Sequence, residues 1–181
     1  MTTTYISVLR GINVSGQKLI KMEALKKMYE NLAFENVQSY IQSGNVIFLA
    51  KSKNTNELES IISSSIKTEF GFDVPVIVVS LDTLEKIEAN NPFIKDTDKD
   101  VAFLHVTFLA EALTEFDEES IIEKKHSDEE IAFTTNAVYL YCPNGYGKTK
   151  LNNNFLEKKL KVQATTRNWK TVNELLKLAA K

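Results

Sequence analysis

Two arginines, Arg10 and Arg167, stand in a chain whose other twenty basic side chains are all lysines. A sequence that writes a plain positive charge as Lys, and that also carries fifteen asparagines, has a reason to keep arginine where it appears. A guanidinium presents a planar fork that binds carboxylate or phosphate bidentately, stacks on aromatic rings and tolerates burial better than an ammonium. Arg10 lies in LRGINVSG and Arg167 in TTRNWKTV, each followed within three residues by an asparagine, Asn13 and Asn168. The chemistry they point to is an anion clamp, with Lys18, Lys21, Lys148 and Lys150 close by in sequence. A structural role, each arginine tying two elements together through a buried salt bridge or backbone carbonyls, fits the same residue types. Trp169, the only tryptophan, shares helical spacing with Val172 and Leu176, which reads as a core position; a stacking platform beside Arg167 is the alternative.

Other chemistries fail on spacing. VYLYCPNGYGKTKL contains GKT after a strand-like run, but the first glycine of a phosphate-binding loop falls on Cys142. What survives is a Gly-rich turn and a helix start carrying Lys148 and Thr149, a setting that suits an anion. Asp96, Asp98 and Asp100 have the spacing of a calcium loop, yet its sixth position is Val101 and its twelfth Thr107. His105 and His126 have no partner pattern and read as structural or solvated, so no metal site is expected. No Ser-His-Asp or Cys-His set is recognisable. Cys142 is the only cysteine, which excludes an internal disulfide and a cysteine-based zinc cluster.

The elements that must hold these residues follow from hydrophobic spacing. Tyr5–Leu9 reads as a buried strand, and Met22, Leu25, Met28/Tyr29 and Leu32 recur at helical spacing. VQSYI and VIFL form a hairpin split by QSGN. Asn54 with Glu57 opens a helix whose stripe is Leu58, Ile61, Ile62, Ile66 and Phe70, and Gly71 stops it. PVIVVS completes a β-α-β-β-α-β order over residues 1–80. A helix from Ser80 ends at NNPF, because Pro92 pushes its predecessor out of helical geometry, and KDTDKD follows as a polar linker. The order then recurs over residues 101–181: VAFLHVTFL, a weaker helix through about residue 122, the hairpin IAFT/VYLYC, a helix marked by Leu151, Phe155 and Leu160, and a short strand near VQATT. A last helix starts at Asn168 or Thr171. The expected fold is α+β: two ferredoxin-like halves (1–80 and 101–181) with antiparallel sheets, joined by a helix and linker over 81–100, plus an extra C-terminal helix.

In this order LRGIN and QSGN fall at one edge of the first half, and PNGYGK and TTRNW at one edge of the second. Five of the six glycines, Gly11, Gly16, Gly44, Gly145 and Gly147, lie in or beside these loops. Charge is unevenly spread. Residues 81–142 hold fifteen acidic and five basic side chains, whereas 143–181 hold two and nine. That pattern fits a basic patch for an anionic ligand as well as complementation within the fold. The 43% apolar content over 181 residues suits a globular protein, and the start MTTTYISVLR resembles no signal peptide, so a cytoplasmic protein without a membrane span is expected.

LRGINVSG with KLIKM, YIQSGNVIF, FGFDVPVIV, NPF, GYGKTKL and TTRNWKTV together resemble the bacterial family catalogued as domain of unknown function 1697. The resemblance runs in order over nearly the whole chain and implies an α+β protein of two ferredoxin-like halves. It implies no established activity or cofactor. Its motifs fall here on Arg10, Gly11, Asn13, Gly16, Tyr40, Ser43, Gly44, Asn45, Asn91, Pro92, Phe93, Lys150, Thr166, Arg167, Asn168 and Trp169. Relatives commonly carry Ser where this chain has Thr149, which keeps a hydroxyl.

The leading expectation is a binding module for a small anionic or phosphorylated ligand at the seam between the halves. Arg10, Lys18, Lys148, Lys150 and Arg167 would meet the anion, while Asn13, Ser43, Asn45, Asn168 and Trp169 would orient the rest. Whether a reaction follows is open. The alternatives are RNA binding on an open sheet face, needing exposed aromatics such as Tyr40 or Phe48, and a protein-interaction role without a ligand. The net charge of −2 disfavours nucleic acid.

Overall fold

Alternating β-branched and aromatic residues make Thr2–Leu9 the first strand, β1, and put Tyr5 and Leu9 on one face, Ile6 and Val8 on the other. The structure is a computed structural model and describes residues 1–51 and 53–181. β1 pairs antiparallel with β3 (Asn45–Lys51) and β4 (Val76–Ser80), and β3 pairs antiparallel with β2 (Glu35–Tyr40). The sheet order is β2-β3-β1-β4. Helices α1 (Met22–Asn31) and α2 (Thr55–Phe70) lay Leu25, Met28, Tyr29, Leu58, Ile62 and Ile66 on the Tyr5 face. Phe48 is the centre of this core: Phe34 stacks on it at 4.6 Å between ring centroids and Tyr29 meets it edge-on at 5.4 Å. The ends of α2 follow its sequence signals. Asn54 Oδ1 accepts the Asn56 N–H at 2.9 Å, and Gly71 closes the helix with φ of 79°.

The same order repeats. β5 (Leu104–Leu109), α4 (Glu118–Ile122), β6 (Glu130–Phe133), β7 (Ala137–Tyr141), α5 (Asn153–Leu160) and β8 (Ala164–Asn168) form a second antiparallel sheet of order β6-β7-β5-β8. The core between this sheet and its helices is mostly aliphatic, with Leu109, Val138 and Leu140 from the strands, Leu156 and Leu160 from α5, and Cys142 just after β7. The weaker helix expected through about residue 122 is only the short α4. Two further helices complete the chain, α3 (Leu81–Ala89) and α6 (Trp169–Ala179). The expected α+β layout of two similar four-stranded halves with an added C-terminal helix is therefore the observed one.

The chain divides into two compact units, the first Met1–Glu85 with Leu175–Lys181 and the second Lys86–Glu174. The polar linker is pinned within the second unit. Lys99 Nζ lies 2.5 Å from Asp96 Oδ2 and from Glu130 Oε2, and 5.3 Å from the centre of the Tyr141 ring. Among the described residues no helix is long and apolar enough to cross a membrane.

Candidate functional site

In the first unit the loops after β1 and β2 meet, as the strand order requires. The Leu9 N–H donates to the Gly44 carbonyl at 2.8 Å. Gly44 has φ of 86°, and a Cβ there would sit 2.7 Å from Ile12 Cδ1 and 2.9 Å from Leu9 Cβ. Only glycine fits this close approach. Asn13 acts as the bracket of the pair. Its Oδ1 accepts the Ile20 N–H at 2.8 Å, and its Nδ2 donates to the carbonyls of Ile20 at 3.0 Å and Gln42 at 2.8 Å. Buried Asn45 donates from Nδ2 to the Tyr40 carbonyl at 2.9 Å and to Ser43 Oγ at 3.0 Å, which closes the β2–β3 turn. Lys18 Nζ reaches the Asp73 carbonyl at 2.6 Å. Arg10 is half-buried, and its backbone N–H donates to the Pro75 carbonyl at 3.0 Å. The amides of Asn13 and Asn45 thus hold the loop frame itself, a role that residue type alone did not reveal.

In the second unit the loop after β7 and the end of β8, which runs straight into α6 without the loop expected at TTRNW, flank the start of β5, where His105 lies opposite Leu140 on one side and Asn168 on the other. Tyr146, from the loop after β7, stacks on the His105 ring at 4.9 Å and 24°. Tyr146 is also the electrostatic neighbour of Arg167, so PNGYGK and TTRNW come together here. Arg167 is half-buried and donates from Nη1 to the Thr166 carbonyl at 3.1 Å. Burial lowers its pKa to about 10, with Tyr146 acting in the opposite sense. Burial likewise lowers His105, whose Nδ1 lies 3.3 Å from the Phe103 carbonyl. Thr107, Thr166 and Asn153 form a chain: Thr166 Oγ1 donates to Asn153 Oδ1 at 2.7 Å, which leaves Thr107 Oγ1 to donate to Thr166 Oγ1 at 2.8 Å.

The remaining candidates of this unit divide by exposure. Lys148, Lys150 and Asn168 are exposed. Asn168 Oδ1 accepts the Thr171 N–H at 2.8 Å and caps α6. Trp169 is only 8% exposed and is a core residue, so the stacking alternative for it falls away. Lys148 and Thr149 do not stand at a helix start, contrary to the expectation from sequence. They end a 3₁₀ turn, Tyr146–Lys148, whereas α5 begins at Asn153 with Asn152 as its cap. Thr149 Oγ1 instead accepts the Leu151 N–H at 3.1 Å. Phe48 is fully buried, so it offers no face for a base to stack on.

Sequence reasoning gave His105 a structural or solvated role and did not single out Tyr146. The two glycines flanking Tyr146 were a usable signal, since they let the backbone turn the ring back over β5. Cys142 is fully buried, and burial and the Glu129 carboxylate push its thiol up to about 12, away from the reactive thiolate. Among the described residues no group of three or more His, Cys, Asp or Glu side chains could hold a metal ion.

Comparison with known proteins places residues 1–139 under the family model described as protein of unknown function (DUF1697). A solved structure, the conserved bacterial protein SP0830 from Streptococcus pneumoniae, is similar over 99% of both chains at 25% identity, with a TM-score of 0.73. Comparison with curated proteins finds no match.

Proposed function

We propose that this chain, which belongs to the family described as protein of unknown function (DUF1697), binds a small phosphorylated or carboxylated anion at the Arg167 end of its second unit. The observation that carries the reading is the state of Arg167. It is half-buried beside Tyr146 at the meeting of the β7 loop and the end of β8, held through Nη1 to the Thr166 carbonyl at 3.1 Å, where burial works against its charge. A cation held in such a place gains more from an arriving anion than a fully hydrated lysine does, because the same Coulomb attraction acts through a lower effective dielectric. The fork geometry of guanidinium adds bidentate recognition.

The surroundings support the same chemistry. Tyr146 sits beside Arg167, and its loop carries the exposed cations Lys148 and Lys150. These would draw an anion in, while Arg167 would fix its orientation. His105, held below its ordinary pKa, stays neutral at neutral pH and would meet the ligand as a hydrogen-bonding group and not as a second charge.

A thermal-shift screen against nucleotides, sugar phosphates and organic acids tests the reading. A ligand at 100 times its dissociation constant adds about 2.7 kcal/mol of apparent stability. Arg167→Lys keeps a positive charge and removes the fork, so the ligand-induced shift should largely vanish whatever the baseline melting point. An unchanged shift in the variant, or no shift with any anion in the wild type, discards the proposal.

A further inference from the structure

The loop pair of the first unit displays apolar side chains that the fold leaves uncovered. Val14 is 56% exposed, Leu19 65% and Ile41 49%. Nothing about these loops is slack enough to tuck them away. Their neighbours Ile12 and Ile20 are buried anchors, Asn13 ties the two loops together, and Lys18 is tethered to the Asp73 carbonyl. Ile41 has φ of 53°, a left-handed conformation that a β-branched side chain adopts only under constraint. In this conformation the isoleucine stays half in solvent.

The charge along the segment that carries Val14 and Leu19 is positive, with exposed Asp73, paired to Lys67, and Glu23 as the acidic side chains next to it. Residues 1–22 include Arg10, Lys18 and Lys21 and no acidic side chain. The matching surface lies in the same sequence. Residues 111–123, which contain α4, carry six acidic side chains and no basic one, and Glu111, Glu115, Asp117, Glu118, Glu119 and Glu123 are all exposed. Among them Ile122 is 40% exposed. A basic patch with three protruding apolar side chains and an acidic segment with one are complementary in charge, and each has apolar surface to bury.

We propose that the occupant of the Val14–Leu19–Ile41 patch is a second copy of this chain, docked through its acidic α4 segment. The contact is heterologous: each copy uses a different surface, and each docked copy still presents a free patch and a free segment. Association therefore proceeds stepwise with concentration instead of stopping at a symmetric dimer. Salt weakens it, because its ion pairs lie at the surface. The inference is independent of Arg167 and of any anion bound there.

Sedimentation of the full chain at low salt tests it. The weight-average mass of the wild type should rise with concentration and fall when salt is added. Leu19→Asp and Ile122→Asp, both at exposed positions, should each sediment as monomers with unchanged melting temperatures. Mixed together they should form a complex of two chains and no larger, because Leu19→Asp keeps an intact acidic segment and Ile122→Asp an intact basic patch. A wild type that stays monomeric at every concentration overturns the proposal, including when it binds anionic vesicles, which would assign the patch to a membrane surface. So does a mixture that shows no complex, or a Leu19→Asp chain that associates like the wild type.

Discussion

The two units share one strand order and differ in what they bury. The first packs four aromatic rings, Tyr5, Tyr29, Phe34 and Phe48, under a ten-residue and a sixteen-residue helix. The second has a five-residue and an eight-residue helix over its sheet, and it buries Glu129, Thr107, Thr149 and Thr165. Polar groups in an interior cost free energy unless they are bonded, and here some are not: Thr165 Oγ1 and Glu129 Oε2 have no hydrogen-bond partner among the described residues. One topology therefore supports two regimes. The first unit is held by apolar packing, and its polar loops serve as frame. The second also buries Phe108 and Tyr139, and it sets half-buried Arg167 and His105 beside a glycine-flanked tyrosine. On the proposed reading these are the groups that would meet the anion.

Three substitutions separate the regimes. Phe48→Ala removes the centre of the aromatic cluster and should cost about 3–5 kcal/mol in chemical denaturation. A loss under roughly 1 kcal/mol would mean that the first unit does not depend on its rings. Thr165→Val in the second unit replaces an unpartnered buried hydroxyl by a methyl group of nearly the same size. It should stabilise the chain by about 1 kcal/mol, and destabilisation would show that the hydroxyl is bonded after all.

The smallest effect concerns pH. His105 is held below its ordinary value, so as pH falls under about 6.5 the unfolded chain takes up the proton before the folded one. Stability from this group is complete above that pH and declines below it. His105→Gln should flatten the decline on the acid side while leaving the neutral-pH slope alone. Identical slopes in variant and wild type would place His105 in a water-like setting.

Most of the fold was legible because its signals are local. Asn54 and Gly71 bound α2, QSGN marks the first hairpin, and Ser80 Oγ accepts the Thr83 N–H at 3.2 Å at the start of α3. The pairing of the polar loops followed from strand order alone. The roles of individual loop residues were not legible, because a polar side chain looks the same in sequence whether it faces a ligand or a backbone carbonyl. Asn13 and Asn45 face carbonyls. The burial of Phe48 was equally hidden, since VIFL is apolar throughout and β3 buries residues on both faces. Lys148 and Thr149 misled because GKT commonly opens a helix, whereas a 3₁₀ turn and the Asn152 cap set a later start here.

The scarcity of arginine makes the binding account directly observable. With only two arginines in the chain, a ¹⁵N-labelled sample gives two side-chain Nε–H signals, and Arg10→Lys assigns them. During titration with inorganic phosphate and then pyrophosphate, the account predicts a saturable shift of the Arg167 signal, abolished by high salt. An Arg167 signal that stays fixed to saturating anion would contradict it.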